Sequence, residues 1–195
     1  MHTKLPLTDV KTLRTRARKH IEQGAVTAGY GADRTQVLGM LNEALATEMV
    51  CVLRYRRHHF LARGIDAKST ADEFLVHSNE EQGHADRIAE RIVQLGGEPD
   101  FSPDSLSQRS HAEYVAGGSL LDMISEDLVA ERIAIDSYRE MIQYLGDLDP
   151  TTSQLLKGIL AVEEEHADEL ADLLKGLPEH KATATVAVAP LSARA

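Results

Sequence analysis

The chain has 195 residues, 43% hydrophobic and 27% charged, with 4% aromatic residues and no Trp, enough for one domain whose core is filled by aliphatic side chains. Its formal net charge of −10 argues against a body that binds nucleic acid through bulk electrostatics. The single cysteine, Cys51, excludes an internal disulfide and a paired-cysteine metal motif, reads as a small packed residue and suits a reducing, cytoplasmic compartment.

Residues 1–32 form a basic extension: Lys4, Lys11, Arg14, Arg16, Arg18 and Lys19 stand against Asp9 and Glu22. No apolar run follows these charges, so no secretory signal is legible. The spacing predicts a short helix over Val10 to Gln23, and Gly24, Gly29 and Gly31 predict a flexible joint. Four long helices follow, in a bundle over residues 33–177. The first runs from an N-cap at Asp33 to Arg63, with Gly64 as its stop. The second starts at Thr70, which forms a capping box with Glu73, and ends at Gly96-Gly97. The third spans Ser119 to Gly146. The fourth opens on the cap and first-turn proline Asp149-Pro150 and closes at Gly176. No segment reads as long and apolar enough to cross a membrane. Short links make each pair of helices an antiparallel hairpin, and residues 97–118 are long enough to run back along the bundle. Residues 178–195 read as a flexible tail.

The core seams of these helices, read as heptads, are interrupted by charge. Glu48 interrupts Leu41, Leu45, Val52 and Tyr55 in the first helix, and Glu131 interrupts Ile124, Leu128, Ile135 and Tyr138 in the third. Glu81 and His84 lie on the second seam, and Glu163 and His166 on the fourth. An unpaired buried carboxylate is expensive, and four facing one another repel. Two divalent cations would balance four carboxylates, and oxygen and imidazole donors suit iron or manganese. The basic residues on the seams are too few for a salt-bridge network instead. The i, i+3 spacing of Glu81 to His84 and of Glu163 to His166 puts each pair on one helix face.

The halves repeat this pattern. Glu43-Ala44-Leu45-Ala46-Thr47-Glu48 resembles Glu126-Asp127-Leu128-Val129-Ala130-Glu131, with Tyr55 and Tyr138 at the same offset beyond. Glu81-Gln82-Gly83-His84-Ala85-Asp86 matches Glu163-Glu164-Glu165-His166-Ala167-Asp168. Two copies of a glutamate seam followed by Glu-x-x-His fit the recipe for a dinuclear carboxylate centre inside a four-helix bundle.

Over about residues 33–177 these motifs resemble the bacterioferritin branch of the ferritin-like superfamily. The resemblance implies an all-α, ferritin-like four-helix bundle of two antiparallel hairpins joined by a long crossover, here with an extra N-terminal helix. It implies a ferroxidase, oxidising Fe(II) to Fe(III) with oxygen or hydrogen peroxide for iron storage or detoxification. Two iron ions per subunit, or manganese, fall to Glu48, Glu81, His84, Glu131, Glu163 and His166. Glu81 and Glu163 would bridge the metals, and Glu48 and Glu131 would be terminal, each with one histidine. Tyr55 matches a family tyrosine near the site that could supply a further electron, although a seam tyrosine also simply packs. Homo-oligomers, up to a hollow cage, are implied as well. The sequence departs from the family at Gln82, where haem-binding members carry methionine, which argues against haem, and at Glu80 and Val162, where the family has Asp.

His77, one turn before Glu81, reads as a satisfied buried histidine, with an accessory metal ligand as the alternative. His58 and His59, within the basic run from Arg54 to Arg63, read as surface or subunit interface. Rival functions are a DNA-protecting binding protein, through residues 4–19, and another di-metal oxidase or peroxidase of rubrerythrin or manganese-catalase type.

Overall fold

A computed structural model describes residues 7–63 and 67–177. Lys4, the helix stop at Gly64 and the tail 178–195 lie outside the described residues. Among the described residues the secondary structure is helical throughout: α1 (Val10–Arg16), α2 (Arg34–Leu61), α3 (Ala67–Gln94), α4 (Leu106–Arg109), α5 (Leu120–Leu145) and α6 (Pro150–Gly176), with a 3₁₀ turn at Ile21–Gln23.

Three of the four long helices, α2, α5 and α6, are capped by side chains that satisfy their first free amides. Asp33 accepts from Thr35 N and Gln36 N at 3.0 and 3.2 Å. Ser119 accepts from Asp122 N at 3.1 Å, and Asp149 from Thr152 N at 2.9 Å. Helix α3 ends on Gly96, whose φ of 74° suits glycine, while Gly97 N donates back to Ile92 O at 2.9 Å.

Helices α2 and α3 pack as one hairpin and α5 and α6 as the other. The apolar interior is split into two layers. One holds Leu41, Leu45, Ile88, Ile92, Met141, Leu145, Leu156 and Ile159. The other holds Cys51, Tyr55, Phe74, Met123, Ile124 and Leu170. The six charged seam residues fall between these layers on all four long helices, so the bundle carries a polar slab at mid-height.

The crossover runs beside α2 and covers its outer face. Asp100 N donates to Asn42 Oδ1 (2.8 Å), His111 N to Thr47 Oγ1 (2.9 Å), and Arg54 to Glu113 O (2.8 Å). Leu106, on the one-turn helix α4, packs on Ala46 and Val50. Helix α2 is therefore buried nearly all round at its middle. That burial explains a first correction. By length and composition α2 is apolar enough to cross a membrane, with a mean hydropathy of 1.3 in its most apolar 18-residue window. Most of the apolar residues at its middle face α3, α5 and the crossover, as in a helix buried inside a bundle.

Three further expectations change. Helix α3 begins at Ala67, so Thr70 is buried inside the helix and no capping box forms with Glu73. The helix expected over Val10–Gln23 stops at Arg16, and His20, at φ 53°, turns the chain before the 3₁₀ turn. Helix α1 buries none of its residues, so no packing extends it. Residues 24–32, expected as a joint, lie against the bundle: Val26, Tyr30 and Ala32 pack on the first layer, and Tyr30 OH donates to Asp149 at 2.8 Å.

Candidate metal centre

Glu48, Glu81, His84, Glu131, Glu163 and His166 are brought together, each at most 2% exposed. They form two overlapping sets in which one ligand atom per residue lies within 4.8 Å of every other. The first set is Glu48, Glu81, His84 and Glu163; the second is Glu81, Glu131, Glu163 and His166. Glu81 and Glu163 belong to both. His84 Nδ1 lies 2.8 Å from Glu163, 3.2 Å from Glu48 and 3.4 Å from Glu81. His166 Nδ1 lies 3.3 Å from Glu81, 3.7 Å from Glu163 and 4.0 Å from Glu131.

The two tyrosines at matching offsets sit symmetrically. Tyr55 OH donates to Glu131 Oε1 and Tyr138 OH to Glu48 Oε1. Each fixes the glutamate of the opposite hairpin, so Tyr138 belongs to the site as much as Tyr55. The matching offset after Glu131 was the sequence signal for it. Outside the centre the halves differ. Glu80 accepts a 2.8 Å hydrogen bond from His166 Nε2, whereas the equivalent Val162 offers His84 no carboxylate.

Electrostatics sort the six groups. Burial and the neighbouring Glu81 push Glu48 up to about 8, and burial with Glu81 and Glu163 holds Glu131 well above the carboxylate range. Burial and the neighbouring carboxylates oppose the charge on Glu81 and Glu163 as well, but the close approach of both histidine rings holds them low. Burial likewise opposes a charged imidazole, yet the surrounding carboxylates raise His84 to about 12 and His166 to about 11. The carboxylates thus draw both imidazoles toward their charged form, while burial resists charge on Glu48 and Glu131.

Hydrogen bonding does not complete the centre. Glu81 Oε1, Glu131 Oε2, both Glu163 oxygens and His166 Nδ1 are buried without a well-oriented partner. Buried polar atoms rarely go unpaired, and all five belong to residues of these two overlapping sets. Hard oxygen donors with two imidazoles are a donor set for divalent iron or manganese, so the residues present fit a metal pair.

The basic run is only partly at the surface: Arg56 and Arg63 are exposed and His59 is half-buried. Arg54 and His58 are buried rather than on the surface, and both hold Asp127: Arg54 Nε and His58 Nδ1 each lie 2.8 Å from it. The crossover buries them, with His58 Nε2 3.2 Å from Ala116 O. This buried triad ties α2 to α5 one turn from Glu131. Cys51, packed beside it, is buried as expected.

A ferritin-like domain model matches residues 38–179. The chain belongs to the ferritin-like family. It is 34% identical to the nutrient stress-induced DNA-binding protein of Nostoc sp. over 137 residues, 69% of this chain and 74% of that protein. It is 31% identical to the bacterioferritin of Mycobacterium leprae over 135 residues, 69% of this chain and 80% of that protein. Among solved structures it resembles a dodecameric thioferritin, the bacterioferritin-related protein of Bacteroides fragilis, with a TM-score of 0.72 and 30% identity. That match covers 75% of this chain and 88% of the other.

Proposed function

We propose that the protein is a ferroxidase that oxidises Fe(II) to Fe(III) at a dinuclear centre within each subunit, for iron storage or detoxification. The observation that carries this reading is the pair of four-residue clusters sharing Glu81 and Glu163, with buried donor atoms left unpaired. Glu81 and Glu163 bridge the two substrate irons. Glu48 with His84, and Glu131 with His166, complete one iron each. Tyr138 and Tyr55 orient the two terminal carboxylates through their hydroxyls. Each Fe(II) gives up one electron. Oxygen takes both with two protons and leaves as hydrogen peroxide, or hydrogen peroxide takes them and leaves as water. Gln82 is no haem ligand: its amide donates to Asp86 at 2.9 Å.

The test is stopped-flow Fe(II) oxidation after an oxygen pulse, in the wild type and in Glu131→Ala. Oxidation well above the protein-free rate, lost in the variant, supports the ferroxidase. Metal binding without oxidation above that rate would turn the reading toward manganese chemistry.

Homo-oligomerisation is supported by the exposed Leu53, Phe60, Val76, Val93 and Val129. A second activity, binding DNA, is favoured by the exposed Lys11, Arg14, Arg16, Arg18 and Lys19 and by the DNA-binding relative. A cytoplasmic location agrees with the one buried, unpaired cysteine.

A further inference from the structure

A second constellation of metal-compatible side chains lies on the outer side of the centre. Its hub is His77, fully buried on α3 one turn before Glu81. His77 Nε2 lies 2.9 Å from Glu169, one turn beyond His166 on α6, and 3.5 Å from Glu73, one turn earlier on its own helix. Glu73, His77 and Glu169 each place a ligand atom within 4.8 Å of the other two. Both carboxylates reach solvent, at 36% and 43% side-chain exposure. So does Glu80 beside them, which holds His166 Nε2.

Two observations tie this triad to the centre. The His77 ring stacks on His166, with centroids 4.0 Å apart and planes 20° apart. His77 is also a member of a tight set with Glu131 and His166, so one imidazole belongs to both the outer triad and the inner centre. Its Nδ1 is buried without a hydrogen-bond partner. Three acidic side chains at the surface would focus a cation onto the stacked histidines, which lead to Glu81, Glu131 and Glu163.

We propose that Glu73, His77 and Glu169 form a further divalent-cation site, which captures Fe(II) from solvent and hands it to the buried centre. The delivery role rests on the dinuclear reading above, whereas the binding site stands on its own residues. Oxygen–nitrogen donors select a first-row divalent cation. Ion pairing of a charged His77 with two carboxylates is the rival account of the same contacts.

The test is an anaerobic titration of the full-length protein with Co(II), read by its visible ligand-field bands. It compares the wild type, the double variant Glu73→Gln/Glu169→Gln, His77→Phe and the centre variant Glu131→Ala. Glu73 is half-buried and Glu169 exposed, so glutamine of the same size is accommodated at both, and phenylalanine keeps the stacked ring. The double variant and His77→Phe should each bind one equivalent per chain fewer than the wild type. With Fe(II) limiting, loading of the centre in the double variant should slow about tenfold, while the amplitude at saturating iron is unchanged. Wild-type stoichiometry and wild-type loading in the double variant would overturn the proposal and leave an ion-pair cluster. A single equivalent, lost in the double variant and untouched by Glu131→Ala, would uphold the site and sink the dinuclear reading instead.

Discussion

At the residue scale, the buried cluster is costly to the fold. Six ionisable side chains stand where a bundle places leucine, and five of their atoms lack hydrogen bonds. The combined change Glu131→Leu/Tyr55→Phe removes a carboxyl together with its hydrogen-bond partner. It should abolish iron oxidation and leave the metal-free protein as stable as before or more so, since replacing both partners by apolar groups is near neutral. Thermal melts of metal-free protein check this, and a fall typical of a core truncation would speak against it. Asp127 is the contrary case. It neutralises Arg54 in the dry interior, so Asp127→Ala strands a buried guanidinium and should cost about 3–5 kcal/mol by urea denaturation. The clustering of Glu48, Glu81, His84, Glu131, Glu163 and His166 was legible because a charged side chain on an apolar seam stands out in a sequence. Arg54 and His58 were not: a basic residue two turns from a helix end reads as solvated unless the segment that covers it is known.

At the element scale, the hairpins were legible from caps, glycines and link lengths, since those signals are local. The crossover's path was not, because it is set by scattered polar contacts with α2. That path also made α2 apolar on nearly all sides. The N-terminus of α6 is tied to two other parts of the chain through one residue. Asp149 caps it, pairs with Arg91 at 2.9 Å and accepts from Tyr30. Burial opposes the Asp149 charge, but bonds from Thr152 and Tyr30 and the Arg91 charge hold its pKa below the ordinary 3.8. A carboxylate with a lowered folded-state pKa stabilises the fold above its unfolded value, and that stability is lost as pH falls through the folded value. Asp149→Ala should therefore cost about 3 kcal/mol at neutral pH. The gap from the wild type should close only as acid protonates Asp149, below pH 3.8. Denaturation midpoints of both proteins across pH 2–7 measure this, and a pH-independent gap would contradict the assignment. Gly117, at φ 65°, turns the chain into α5, and a Cβ there would meet Met123 at 2.8 Å. Gly117→Ala should cost about 1–3 kcal/mol.

At the scale of the whole molecule, an acidic bundle carries a basic arm and two apolar layers split by a polar slab. If the arm binds DNA, retardation in a gel should fall steeply with salt and vanish on deletion of residues 1–22. Retardation that survives the deletion would place binding elsewhere. The bundle and its slab follow from the repeated glutamate seams. How subunits assemble depends on exposed surfaces such as Phe60 and Val129, which a single sequence does not distinguish from ordinary surface. The most direct measurement is anomalous diffraction at the iron edge from crystals loaded anaerobically with Fe(II). The account predicts two peaks per chain in the polar slab, one among Glu48, Glu81, His84 and Glu163, the other among Glu81, Glu131, Glu163 and His166. A slab without iron, with Glu81 and Glu163 held only by the two histidines, would contradict it.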